Sequence, residues 1–164
     1  MQETLDAIGA SPIGDFMAAD PFAFPTVETV HVIAITLVIG LIAIIDLRLI
    51  GVASTSYPVS RLSRALLPPT WIAFILAAIS GVLLFTSQPA TYFENTAFRV
   101  KVALIVFAGL NMLVFHFLTM RGIETWDKKG RLPLAARLAG LLSLVTWMGV
   151  VAFGRWSGFT MSPF

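Results

Sequence analysis

Val27-Glu28-Thr29-Val30-His31-Val32-Ile33-Ala34-Ile35-Thr36-Leu37-Val38-Ile39-Gly40-Leu41-Ile42-Ala43-Ile44-Ile45-Asp46-Leu47-Arg48-Leu49-Ile50-Gly51-Val52 is the stretch that decides the fold. No ionisable side chain stands between His31 and Asp46. A hydrocarbon core of about 30 Å takes roughly 20 apolar residues in helical form, and this stretch supplies them. An open strand is excluded, because lipid offers no partner to unpaired backbone groups. Three more stretches read the same way: Leu66 to Thr86, Ala97 to Met120 and Leu132 to Phe153. The expectation is an all-α integral membrane four-helix bundle over residues 27–158. An N-terminal interfacial segment, 1–26, precedes it and a tail, 159–164, follows.

Composition agrees. The chain is 57% hydrophobic and 12% charged, with a mean hydropathy of +0.87. A soluble domain needs about a quarter of its residues charged to cover its surface. The net charge of +2 does not imply a nucleic-acid partner, since the basic residues gather in two short connections between spans. The chain has no cysteine, which removes disulfides, thiolate catalysis, iron–sulfur clusters and cysteine zinc sites.

Arg61 and Arg64, with Arg48 nearby, mark the first connection. Arg121, Lys128, Lys129 and Arg131 mark the third, with Arg137 just inside the last span. The second connection, Ser87 to Thr96, has no basic residue. The positive-inside rule then puts connections one and three in the cytoplasm and both termini outside. The expected location is a bacterial inner membrane. Gln2, Glu3 and Asp6 stand where a cleavable signal would be basic, so the first span is expected to act as its own insertion signal.

Glu3 to Ala10 reads as a short amphipathic helix, and Ser11 before Pro12 as the cap of a second. Phe16, Met17, Phe22 and Phe24 are expected in the headgroup region. Pro68 and Pro69 are read as the first turn of span two, where N–H groups lack partners anyway. Trp71 follows as an interfacial aromatic. Ala77 with Gly81, Ala136 with Gly140 and Ala139 with Ser143 are small-residue steps that let helices approach closely, within the chain or in a homodimer.

Ionisable groups at membrane depth are costly and commonly functional. Fifteen positions separate His31 from Asp46, and fifteen separate Lys101 from His116. At about 1.5 Å per residue each separation is roughly 22 Å and close to four full turns. Two polar layers result. The outer one holds Glu28, His31, Arg99 and Lys101, with Arg155 near the end of span four. The inner one holds Asp46, Arg48, Asn111, His116 and Arg137. A structural explanation stands beside the functional one. Arg48, Arg99, Lys101 and Arg137 lie near enough to helix ends to snorkel. Asp46 and Arg48 are able to neutralise each other, and Asn111 can act as interhelical glue.

A single histidine in a membrane bundle suits the iron of a b-type haem, with a second-shell acceptor such as Glu28 orienting the ring. Arg99 and Arg155 are then candidates for the propionates, and Lys101, a methionine such as Met148 or Met161, water or a neighbouring subunit for the second axial position. The two histidines, about 22 Å apart along the helices, cannot share one haem. Copper would need converging methionines or histidines. A serine triad lacks its G-x-S-x-G element.

Val27-Glu28-Thr29-Val30-His31, Asp46-Leu47-Arg48-Leu49-Ile50-Gly51, Ser80-Gly81-Val82-Leu83-Leu84-Phe85, Phe98-Arg99-Val100-Lys101 and Asn111 together resemble an uncharacterised family of bacterial four-span membrane proteins. More distantly, the placing of His31, Gly81 and Lys101 is similar to four-span haem-associated proteins, the membrane protoporphyrinogen oxidases and the copper-resistance D type. That likeness implies haem b on His31. Val100 stands where those proteins carry a tryptophan, and Leu132-Pro133 where they carry glutamate–proline. The sequence thus leads to a haem-b-binding electron-transfer or small oxidoreductase component. The alternatives are a non-catalytic accessory subunit of a larger membrane complex, and a small-solute or proton carrier.

Overall fold

The computed structural model describes residues 1–119, 123–127 and 132–161. Among them every regular element is helical: α1 Gln2–Gly9, α2 Pro12–Ala19, α3 Ala23–Ile50, α4 Val59–Ser87, α5 Pro89–Glu94, α6 Thr96–Val114, α7 Ile123–Trp126 and α8 Leu134–Met161. A π-helical turn, Phe115–Thr119, extends α6. Four helices, α3, α4, α6 with its extension, and α8, are long and apolar enough to cross a membrane. The chain is an integral membrane protein by that measure.

α3 is central. α4 and α8 pack along it, and α6 packs along α8, giving the spatial order α4–α3–α8–α6. The outer helices α4 and α6 meet at the end of the bundle that carries the termini. There Phe85 stacks on Phe98 with centroids 5.8 Å apart, and Tyr92 of α5 lies 5.2 Å from Phe98. Connection 51–58 lies at the opposite end, and beyond this aromatic contact α4 and α6 do not pack along one another. The wide outward faces, among them Val32, Ile72, Ile79, Leu110 and Val145, are apolar and exposed, as a lipid-facing surface requires.

Local chemistry explains the helix ends. Gly51 takes the left-handed conformation at φ 88° and stops α3, its amide bonding back to Leu47 and Arg48 carbonyls. Ser11 caps α2, its hydroxyl accepting the Gly14 amide at 3.1 Å, the expected role. Gly14 is required by close approach, since a Cβ there would overlap the Gly9 carbonyl.

Three features depart from expectation. α4 begins at Val59, so Pro68 and Pro69 sit inside the helix rather than in its first turn. Both rings are exposed, and each removes one N–H from the helical ladder. Met17 does not lie in the headgroups: it is 3% exposed and packs with Ala23 and Leu84, because α2 docks on α4. The amphipathic segment is therefore part of the fold, with Phe16 and Phe22 left outside. α8 runs on to Met161, through Gly154 and Gly158. Arg121, Lys128, Lys129 and Arg131 lie outside the described residues.

Candidate functional site

At the termini end, His31 faces α4. Its Nδ1 is 2.9 Å from the Ser80 hydroxyl oxygen. That hydroxyl donates its own proton to the Leu76 carbonyl at 2.7 Å, so toward the imidazole it accepts and Nδ1 carries the hydrogen. The ring lies against Gly81, where a Cβ would stand 3.1 Å from Cε1. Lys101 and Glu28 are the charged side chains that act on His31. The Lys101 stem passes Gly154 of α8, and its ammonium sits 4.5 Å above the Phe98 ring.

The two arginines expected in this layer have partners on their own helices. Arg99 is exposed and reaches Thr96 at 3.4 Å. Arg155 lies over Phe159, 4.7 Å from its centroid. Glu28 is exposed on α3. Tyr92, just beyond the spans, feels it. Burial first, and then the Glu28 charge, push its phenol above the ordinary value.

The connection end is different in kind, because space opens there. A cavity of about 230 Å³ lies among α3, α4, α6 and α8, between the two outer helices. Its walls are mostly apolar, with Trp71, Phe74, Phe115 and Trp147 supplying aromatic faces. Trp71 and Phe74 meet edge to face at 87°, forming two perpendicular walls. Asp46 is set into this lining at 4% exposure. The Ser143 hydroxyl of α8 is its hydrogen-bonding neighbour, while Oδ2 has no partner among the described residues.

Arg48, two residues further along, does not neutralise it. That guanidinium is turned to the connection, where Nε donates to the Tyr57 carbonyl at 2.7 Å and the charge faces Asp127. Asn111 and His116 also line the cavity. Asn111 donates to the Ala139 carbonyl at 3.0 Å and so ties α6 to α8. His116 falls in the π-helical turn, an irregularity that commonly marks functional positions, and its ring meets Phe117 edge-on. Arg137 is exposed at the start of α8 and lies outside this lining. Asp46, Asn111 and His116 are thus brought together around one space. Arg48 and Arg137 are not.

The small-residue steps are used inside the chain. Gly140 lets α8 cross α3 beside Asp46, since a Cβ there would lie 2.9 Å from Leu49 Cβ and 3.0 Å from the Asp46 carbonyl oxygen.

Residues 18–160 match the model of a family described as a family of unknown function (DUF6644). The chain belongs to that family. No curated protein and no solved structure matches it. This DUF6644 member has four helices long and apolar enough to cross a membrane. Among its described residues no group of three or more metal-ligating side chains converges.

One residue of the loop region escaped the sequence reading. Asp127, after α7, caps the start of α4 from 68 residues away. It accepts the Val59 amide at 2.8 Å, the Ser60 amide at 3.0 Å and the Ser60 hydroxyl at 2.7 Å. Burial alone would raise its pKa. The Ser60 and Val59 bonds and the nearby Arg48 outweigh that and hold the carboxyl below its ordinary value.

Proposed function

We propose that this protein binds a small, largely apolar molecule within the bilayer, in the cavity at the connection end, with Asp46 as the polar group that recognises it. One observation carries the reading: a buried carboxylate oxygen without a partner lines a cavity whose other walls are mainly hydrocarbon. An unpaired polar group in such a medium costs several kcal/mol, so a fold that keeps one gains by letting a ligand satisfy it. α4 and α6 do not pack along one another, which supports entry sideways from the lipid. The basic side chains Arg61 and Arg64, exposed beside the cavity end, support placing that end in the cytoplasm of a bacterial inner membrane.

Quenching of indole fluorescence by 4-bromobenzyl alcohol tests the reading, because Trp71 and Trp147 form cavity walls. Saturable quenching is expected in the wild type. It should be lost in Gly109→Phe, which adds a ring at a lining position where a Cβ meets nothing within 4 Å. Identical, non-saturating quenching in both proteins overturns it.

A second reading gives His31 the iron of a haem b. The Ser80 contact favours it, since Nδ1–H held by Ser80 leaves the Nε2 lone pair for a metal. The remaining residues do not fit the group. Arg99 is engaged with Thr96 and Arg155 with Phe159, and Lys101, the expected second donor, lies on Phe98. A Soret band under haem-replete expression that disappears in His31→Ala would promote this reading, and a colourless protein ends it.

A further inference from the structure

Resting on the cavity reading above, we infer that the ligand is a lipophilic monovalent cation, a protonated amine or quaternary ammonium on a body of about one aromatic ring. Among the described residues, the hydrogen-bonding neighbour of Asp46 is a serine hydroxyl. The nearest arginine along the helix is committed to the Tyr57 carbonyl and to Asp127. No other described lining residue carries a permanent positive charge. A carboxylate removed from water needs a counter-charge together with hydrogen bonds. The described lining provides one hydroxyl and leaves the charge, and the partner of Oδ2, to the occupant.

Shape and surface select the rest of the molecule. Indole and phenyl faces attract cations that approach within about 6 Å of the ring centre, most strongly where water is excluded. Trp71, Phe74, Phe115 and Trp147 offer such faces in the same space as the carboxylate. Metal cations prefer several hard oxygen ligands, and Asp46 is the only carboxylate among the described lining residues. A strongly hydrated inorganic ion is therefore disfavoured against an organic one. Apolar cavities of about 150 Å³ accept benzene, so about 230 Å³ admits one substituted ring. Because α4 and α6 do not pack along one another, a molecule already dissolved in lipid would enter between them.

The test uses the whole purified protein in non-ionic detergent. Radiolabelled benzyltrimethylammonium is the probe, with competition by neopentylbenzene, its uncharged carbon isostere. Saturable binding is expected, weakened at least tenfold in Asp46→Asn, partly kept in Asp46→Glu, and abolished in Gly109→Phe. The neutral isostere should compete at least tenfold more weakly. Removing a buried charge leaves packing intact, so Asp46→Asn should melt no lower than wild type; if it does not fold, the isostere competition decides alone. Equal competition by the isostere, or unchanged binding in folded Asp46→Asn, overturns the cationic ligand. Loss of binding in Gly109→Phe would in that case still leave the cavity reading standing. Failure of the cation alone to bind folded wild type overturns the cationic ligand, and failure of both the cation and its neutral isostere overturns the cavity reading as well.

Discussion

Asp127 and Val59, 68 positions apart, are joined by a 2.8 Å hydrogen bond from the Val59 amide to the Asp127 carboxylate. This is an N-cap supplied from another connection. Helix α4 has no side-chain cap of its own, because Pro58 occupies the cap position. Replacing a capping side chain by alanine costs about 0.5–2 kcal/mol. Asp127→Ala should lower stability by about that amount and speed amide hydrogen exchange at Val59 and Ser60. Wild-type protection at both amides would refute the cap.

The same carboxyl sets an acid dependence. Its folded pKa lies below the unfolded value of about 3.9. The stabilisation is therefore complete above the unfolded value and lost as pH falls through the folded one. The difference in melting temperature between wild type and Asp127→Asn should stay constant down to about pH 5 and shrink below it. A difference that widened on acidification would reverse the assignment.

Gly140 and Gly40 give a matched pair. A Cβ at Gly140 meets Leu49 Cβ at 2.9 Å and the Asp46 carbonyl oxygen at 3.0 Å, whereas one at Gly40 meets nothing within 4 Å. Neither obstacle at Gly140 can swing aside, since one is backbone and the other is fixed to it. Gly140→Ala should cost about 1–3 kcal/mol through overpacking. Gly40→Ala should be neutral, or stabilising by up to about 1 kcal/mol through helix propensity. Unfolding of both variants in mixed detergent with rising dodecyl sulfate measures the contrast.

At Gly81 the obstacle is a side chain. The added methyl of Gly81→Ala would stand 3.1 Å from His31 Cε1, and a ring can shift by a few tenths of an ångström. The larger Gly81→Val should displace it and break the 2.9 Å contact with Ser80. The imidazole nitrogen resonances of His31 should then change in Gly81→Val much as they do in Ser80→Ala, and little in Gly81→Ala.

The four spans were legible because composition and length determine them: a run such as Val32 to Ile45 has one stable place in a cell. Depth was legible too, since helical rise converts sequence distance into height. That is how Asp46, Asn111 and His116 were grouped before their shared cavity was seen. Azimuth was not. Whether Arg48 turns toward Asp46 or toward Tyr57 depends on which neighbour lies across the connection. Arg99 and Arg155 share a depth with His31 but point along different directions. Asp127 was missed because a cap is ordinarily sought next to its helix, and nothing local marks one supplied from 68 residues away. The cavity itself arises from helix order, α4 and α6 being outermost, which apolar spans with nearly uniform faces do not encode visibly.

Asn111 ties α6 to the rest of the bundle beside that cavity, and α6 is the most exposed of the four spans. Its Nδ2 donates to the Ala139 carbonyl at 3.0 Å. Interhelical hydrogen bonds in membranes average about 0.6 kcal/mol and reach about 1.7. Asn111→Leu, close in volume, should lower stability within that range. It should leave Asp46 and the aromatic walls in place, because the carboxylate's neighbour Ser143 belongs to the α3–α8 contact and not to α6. Binding of benzyltrimethylammonium should therefore fall less than threefold, against tenfold or more for Asp46→Asn. A loss as large as that of Asp46→Asn would move recognition from the carboxylate to the amide, and the cavity's polar centre with it.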